Sequence, residues 1–435
     1  MNASAPSYQQ AVSVWLRVAA LSFGGPAAQI ATMHRIVVQE KRWVCEARFQ
    51  HALNFCMLLP GPEAQQLSIY LGWLLHRTKG GLTAGLLFVA PGAASLMALS
   101  VVYALYGQIG VVAGLFLGLK AGVLAVIAQA WGKLARRALR NVMLKAISAA
   151  AFVALFFFQT PFPLVILAAA ALGALGNSPP PPAPEGESAL GEATPPHARP
   201  SLGGFVRAVA IWLPVWLAPV ATLWLILGPA SIFSQIATFF SGTAALTFGG
   251  AYAALAFVAQ QAVERFHWLN AREMLDGLGL AETTPGPLIM VLQFVGFLAA
   301  FRAPGALPPL LAGVLGGLLT TWATFAPCFL WVFAGAPFVE ALRGVRALGA
   351  ALSAISAAVV GVILNLTVWL AIHTLFRETV SRHGFDAPVW ASANLPAIAL
   401  ALGAAALVLG TRAGATTTLA FAAAAGAALH SFGAA

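Results

Sequence analysis

Apolar residues run in long stretches along this chain, without the two-residue alternation of a half-buried strand or the polar face of a surface helix. A helix needs about 20 such residues to cross a hydrocarbon core of ~30 Å. The first half offers six crossings, at about 10–30, 47–77, 82–104, 108–131, 143–158 and 161–176. A further one falls at about 205–228, and six more at about 231–257, 274–301, 308–334, 348–372, 388–410 and 413–433. The crossings at 47–77 and 274–301 are each interrupted by Pro-Gly-Pro. The run from Ala11 lacks a basic leader and a small-residue cleavage site, so it reads as a retained helix.

One polar interval divides the chain. Residues 177–200 read NSPPPPAPEGESALGEATPPHARP, a composition that stays extended in water. The organisation expected is a first repeat over 1–176, a Pro-rich cytoplasmic linker over 177–201, a connecting helix over 202–230 and a second repeat over 231–435. The halves are related by a shift of 225 positions, which places Phe23-Gly24-Gly25 on Phe248-Gly249-Gly250, Trp43 on Trp268 and Pro60-Gly61-Pro62 on Pro285-Gly286-Pro287. No gap is needed from Leu21 to Leu67, and 13 of those 47 positions are identical, seven of them Phe, Gly, Trp or Pro. Seven crossings separate equivalent positions, an odd number, so the second repeat should be inverted in the membrane. The fold expected is an all-α polytopic membrane protein, with about 13 transmembrane segments in two homologous six-helix repeats of inverted topology.

The breaks pose the chemical question. Proline removes a backbone donor and glycine admits unusual dihedrals, so FGG and PGP should both open a helix. Broken backbone at membrane depth survives only packed in protein or lining a polar cavity, and helix N-termini freed there attract anions. The candidate site is therefore central and built from Phe23, Gly24, Gly25, Pro26 and Gln29; Pro60, Gly61, Pro62, Gln65 and Gln66; Gly249 and Gly250; and Thr283, Thr284, Pro285, Gly286 and Pro287. The plainer alternative is that these glycines only permit close packing and these prolines only kink. Glu63 and Glu282 flank the two PGP motifs as candidates for proton coupling or gating, or as helix-terminal carboxylates. Lys120 lies near the middle of a crossing, where an unpaired ammonium is costly, and is expected to meet Glu63 or a transported anion.

Composition narrows the class. Only 8% of residues are charged and 60% are hydrophobic, too little polar surface for a soluble protein of 435 residues. The net charge of +10 is explained by basic loops facing the cytoplasm and does not call for nucleic acid. With the N-terminus inside and the C-terminus outside, cytoplasmic segments hold 14 Lys and Arg against 7 outside, although 34–48 is then a basic cluster on the outer side. Cys45, Cys56 and Cys328 and the histidines form no metal-ligand set, and no Walker A, flavin, haem or catalytic-triad pattern occurs. No cofactor, metal or catalytic residue is expected. Transport would be driven by an ion gradient, with H+ a candidate coupling ion, or by the membrane potential.

The stretches SFGGPAAQIATMHRIVVQEKRW, ALNFCMLLPGPEAQQLSIYLGWLLHRTKGG and FVAPG, with TFGGAYAALAFVAQQAVERFHWL and LDGLGLAETTPGPLIMVLQFVGF in the second half, resemble the two domains of the long-chain chromate ion transporters. The resemblance implies a bacterial inner-membrane protein with antiparallel halves that exports chromate and confers resistance to it. Pro26 and Glu63 have Ala251 and Leu288 as their counterparts, so the first half should dominate binding. Sulfate has the same shape and charge as chromate, and the residues alone do not separate the two. Lipid and a second copy of the chain are the other partners considered.

Overall fold

The computed structural model describes residues 6–23, 25–57, 59–107, 110–176, 196–246, 251–338, 346–382, 385–411 and 414–431. Gly24, Phe248, Gly249, Gly250 and most of the linker lie outside the described residues. Among the described residues the fold is all-α apart from one hairpin. The helices are α1 (Tyr8–Leu21), α2 (Gly25–His34), α3 (Glu46–Cys56), α4 (Glu63–Tyr106), α5 (Gly110–Ala138), α6 (Val142–Phe156), α7 (Phe162–Leu175) and α8 (Leu202–Leu227). They continue as α9 (Ile232–Leu246), α10 (Ala251–Gln260), α11 (Ala271–Thr283), α12 (Val291–Arg302), α13 (Pro309–Gly335), α14 (Arg346–Leu375), α15 (Leu395–Gly410) and α16 (Ala415–Ser431). Strands β1 (Thr379–Arg382) and β2 (Phe385–Pro388) pair antiparallel between α14 and α15.

Five helical stretches among the described residues are long and apolar enough to cross a membrane: Glu63–Tyr106, Gly114–Ala138, Leu202–Leu227, Pro309–Phe338 and Gly349–Leu375. This makes the chain a multi-pass membrane protein. Along α8, Leu225 and Ile226 are 86% and 73% exposed, surface that lipid can cover. The shorter apolar helices α6 and α7 match the expected pair at 143–158 and 161–176.

The first two expected crossings look different in the structure. At the first, α1 ends at Leu21, and the chain resumes as α2 and a π-helical turn over Arg35–Glu40. Arg17 donates to Glu40 at 2.6 Å. A straight helix would hold these residues about 34 Å apart, so the chain folds back at the FGG break. The second, at 47–77, behaves alike. The rings of Phe55 and Tyr70 lie 5.7 Å apart across Pro-Gly-Pro, where a straight helix would separate the Cα atoms by about 22 Å. Each break is thus the tip of a helical hairpin, and neither segment is one straight crossing. Helix α4 itself turns at His76 and Arg77, whose backbone leaves the helical region. Only glycine at 72 and 80 lets the arms on either side of that turn touch backbone to backbone.

Local geometry recurs at the 225-residue shift. Arg42 and His267 both adopt a φ of 52°, and Gly61 and Gly286 adopt φ of 110° and 98°. A π-helical turn precedes both Trp43 and Trp268, whose amides donate to Val37 O and Ala262 O at 2.9 Å in each case.

The chain divides into two compact units, each using both halves of the sequence. The first comprises Met1–Met97, Pro180–Ala254 and Thr284–Val345. Its core joins Trp15, Val18, Met33, Phe49, Phe55, Trp73, Phe88 and Phe329, so both first-half hairpins are packed in protein. The second comprises Ala98–Pro179, Leu255–Thr283 and Arg346–Ala435, in which α16 packs along α5, and α14 along α6 and α7.

Candidate functional site

In the first unit the second PGP loop is held from three sides. Its Gly286 amide donates to Ser22 O, at the end of α1, at 2.8 Å. The Gly286 carbonyl accepts from Gln29 Nε2, on α2, at 2.6 Å. On the third side Gly92 of α4 abuts it: a Cβ on Gly92 would lie 2.6 Å from Pro285 O, and one on Gly286 3.1 Å from the Gly92 Cα. The FGG break and the second PGP motif are therefore one construction, with Gln29 as its clasp. Gly25 adopts a φ of 80°, Pro26 is half-buried and Phe23 is exposed.

Depth follows from helix rise. Tyr8 Oη and Thr83 Oγ1 are 2.6 Å apart, and Lys79 stands over the Tyr8 ring, marking one polar end of the unit. From Thr83 to Gly92 the helix climbs nine residues, about 14 Å, close to half of a ~30 Å hydrocarbon core.

The first PGP motif is built around Gln66. Its Nε2 donates to Pro60 O at 2.7 Å and lies 3.9 Å from Cys328 Sγ on α13. Gly61, Gln66 and Cys328 are in contact, since a Cβ on Gly61 would lie 3.2 Å from Gln66 Nε2 and 3.3 Å from that sulfur. Helix α4 starts at Glu63, directly after the motif, and its first-turn amides have no intrahelical carbonyl to bond. In that turn, polar atoms stand without partners among the described residues: both amide atoms of Gln65, Gln66 Oε1 and Glu63 Oε2; at the clasp, Gln29 Oε1 does too. Gln65 and Gln66 are fully buried. A buried amide left unpaired costs about 1–3 kcal/mol, so this is where a polar ligand would bring the most. The free Gln65 Nε2 donor and the helix N-terminus beside it suit an oxyanion without adding fixed positive charge, whereas the free oxygens of Gln66, Gln29 and Glu63 are acceptors.

The remaining candidates divide. Thr284 and Pro287 are buried in the first unit. In the second unit, Glu282 is buried and the Thr283 hydroxyl donates to Leu280 O at 2.8 Å. Lys120 also belongs to that unit and has a carboxylate partner the sequence reading overlooked: its Nζ is 3.0 Å from Asp276 Oδ1, while Tyr103 donates to Asp276 Oδ2 at 2.9 Å. The signal was present, because Asp276 is an acidic residue inside an expected crossing. Ser22, Gly92 and the buried, unpartnered Gln293 were not among the expected site residues, and Cys328 was considered only as a metal ligand. Ser22 and Gly92 act through backbone proximity, which sequence does not display.

Helices broken at buried polar tips within a multi-pass bundle define a membrane transport protein. The family profile described as Chromate transporter matches residues 9–174 and 234–429, and the chain belongs to the chromate transporter family. It is similar to the chromate transport protein of Cupriavidus metallidurans, 30% identical over 372 residues that cover 85% of this chain and 84% of that protein. The chromate transport protein of Pseudomonas aeruginosa is 33% identical over 84% of this chain and 81% of its own. The probable chromate transport protein of Synechococcus elongatus is 32% identical over 77% of both chains. No solved structure gives a significant match.

Proposed function

We propose that this protein is a secondary transporter that exports chromate across the bacterial inner membrane and so confers resistance to it. Transport is driven by an ion gradient or the membrane potential, with alternating access around the broken helices. One observation supports the oxyanion part of this reading: the buried side-chain amide of Gln65 stands unpartnered in the first turn of α4, directly after the first PGP motif. The chromate part is supported by the names of the relatives. Glu63 acts as a gate, its carboxylate competing with the anion for the first-turn amides of α4.

The two repeats, 1–176 and 231–435, lie inverted on either side of the linker and the connecting helix 202–230. Folding back at both breaks supports this arrangement. If the hairpins of each half re-enter from one side, two crossings drop out of the seven between equivalent positions. Five remain, still an odd number. The segment 34–48 then moves to the cytoplasm with Arg35, Lys41, Arg42 and Arg48, while Arg265 and Arg272 move outside. The cytoplasmic segments then hold 16 Lys and Arg and the outer ones 5. That stronger positive-inside bias favours an N-terminus in the cytoplasm and a C-terminus in the periplasm.

A second reading is a general carrier of sulfate-like dianions with chromate incidental, favoured by the neutrality of the amide donors, which select geometry and charge more than the central atom. Uptake of labelled chromate into everted vesicles, with and without excess sulfate, separates the two. Uptake that sulfate barely inhibits supports a chromate exporter, strong inhibition supports the general carrier, and no uptake above control vesicles refutes both.

A further inference from the structure

The second unit contains a buried charged group that the anion site does not use. Asp276 on α11 is 5% exposed. Its two oxygens are held by different donors from different helices, Lys120 Nζ of α5 at 3.0 Å and Tyr103 Oη of α4 at 2.9 Å. Burying such a pair in a membrane protein is expensive, and an apolar pair of equal volume would pack there at lower cost. Its distinctive physical property is its response to a proton. With the carboxylate ionised the pair is neutral; with it protonated, the ammonium is left without its counter-charge and the Tyr103 bond loses its charge assistance.

The helices packed most closely on α11 carry few ionisable residues. Besides α5, helices α14 and α16 pack against α11. Along α14 the only ionisable residues are Arg346 and His373 near its two ends, and along α16 only His430 at its end. After Lys120, α5 carries no charge until Lys133. On α11 itself Arg272 is exposed and Glu282 is buried six residues further on, while Glu273, three residues earlier, adds a like charge to Asp276. The Glu273 carboxylate is engaged at the helix start, accepting from the Asn270 amide at 2.9 Å.

The geometry points to Asp276 as the residue that binds the coupling proton, with Lys120 and Tyr103 as positioning residues that set when it binds. This rests on the transporter reading and names its driving ion: the pair reports on pH, and protonation frees the Lys120 charge as the bundle changes state. No bond other than the O–H at Asp276 forms or breaks.

The test uses the full chain in proteoliposomes, measuring chromate exchange at equal pH and chromate accumulation under an imposed pH gradient. The wild type should do both, with exchange titrating across pH. Asp276→Asn, which imitates the protonated carboxyl, should exchange at the same rate at every pH and accumulate at least tenfold less. Tyr103→Phe removes a donor to the ionised form, so the midpoint of its pH profile should rise by about 0.5–1 unit. Accumulation by Asp276→Asn at the wild-type level overturns the assignment. If that variant fails to fold, superimposable profiles for Tyr103→Phe and wild type overturn it instead. Wild-type exchange without accumulation under the imposed pH gradient refutes this inference alone, whereas absence of any wild-type exchange refutes the transporter reading beneath it.

Discussion

Adding one methyl group at Gly92 should disable transport while leaving the protein folded. An alanine Cβ there would lie 2.6 Å from Pro285 O. Ordinary carbon–oxygen contact begins near 3.3 Å, so the loop and α4 must part by about 0.7 Å. The clasp on the far side of the loop has no slack. Gln29 Nε2 to Gly286 O is 2.6 Å and Gly286 N to Ser22 O is 2.8 Å. Moving the loop by that amount stretches both past the useful range, to about 3.3 and 3.5 Å. Each bond lost costs about 1 kcal/mol, so the native loop is disfavoured by about 2 kcal/mol, a factor of about 30 in its population. Chromate uptake by Gly92→Ala in vesicles should therefore fall by at least tenfold at equal expression. Gly132→Ala is the control, because nothing stands within 4 Å of a Cβ at that position. Equal uptake by Gly92→Ala and wild type would refute the role given to the clasp.

Three other perturbations probe separate parts of the account. Gln65→Leu removes two buried amide atoms that have no partner, so the melting temperature of the purified protein should rise by a few degrees while uptake is lost; retained uptake would remove Gln65 from the site. A single cysteine at Arg42, in a background lacking Cys45, Cys56 and Cys328, should react with an impermeant maleimide only in everted vesicles, and labelling from the periplasm would contradict the re-entrant arrangement. On the hairpin beyond α14, Asp386 lies 3.4 Å from His373, whose hydrogen bond holds the Asp386 carboxyl below the usual carboxylate range. A depressed carboxylate stabilises the fold above its unfolded pKa, and that contribution disappears as pH falls below about 3.8. Asp386→Asn should thus melt earlier than wild type at neutral pH and converge with it in acid; a constant gap across pH would contradict the pairing.

Much of the helical architecture was legible because lipid imposes a simple rule on composition, and the runs at 108–131, 205–228 and 348–372 reappear as α5, α8 and α14. The breaks were legible too, since proline and glycine act locally through backbone chemistry. Their consequence was not. Whether a broken helix continues or turns back is decided by packing, and here the contacts of Phe55 with Tyr70 and of Arg17 with Glu40 record a turn. The basic segment 34–48, awkward outside the membrane, was the one sequence clue to it. At the site, Gln29, Gln65 and Gln66 were visible as polar residues near breaks. The partners of Gln29 lie 257 positions away at Gly286, and that of Lys120 at Asp276, pairings that no local pattern encodes.

The central claim is that a tetrahedral dianion binds at the broken tips, among the amides that follow Pro62. Anomalous scattering from chromium in crystals of the full chain grown with chromate tests it most directly. The account predicts a peak within hydrogen-bonding reach of the Gln65 side chain and the first turn of α4. A peak beside Lys120, with none at that turn, would contradict it.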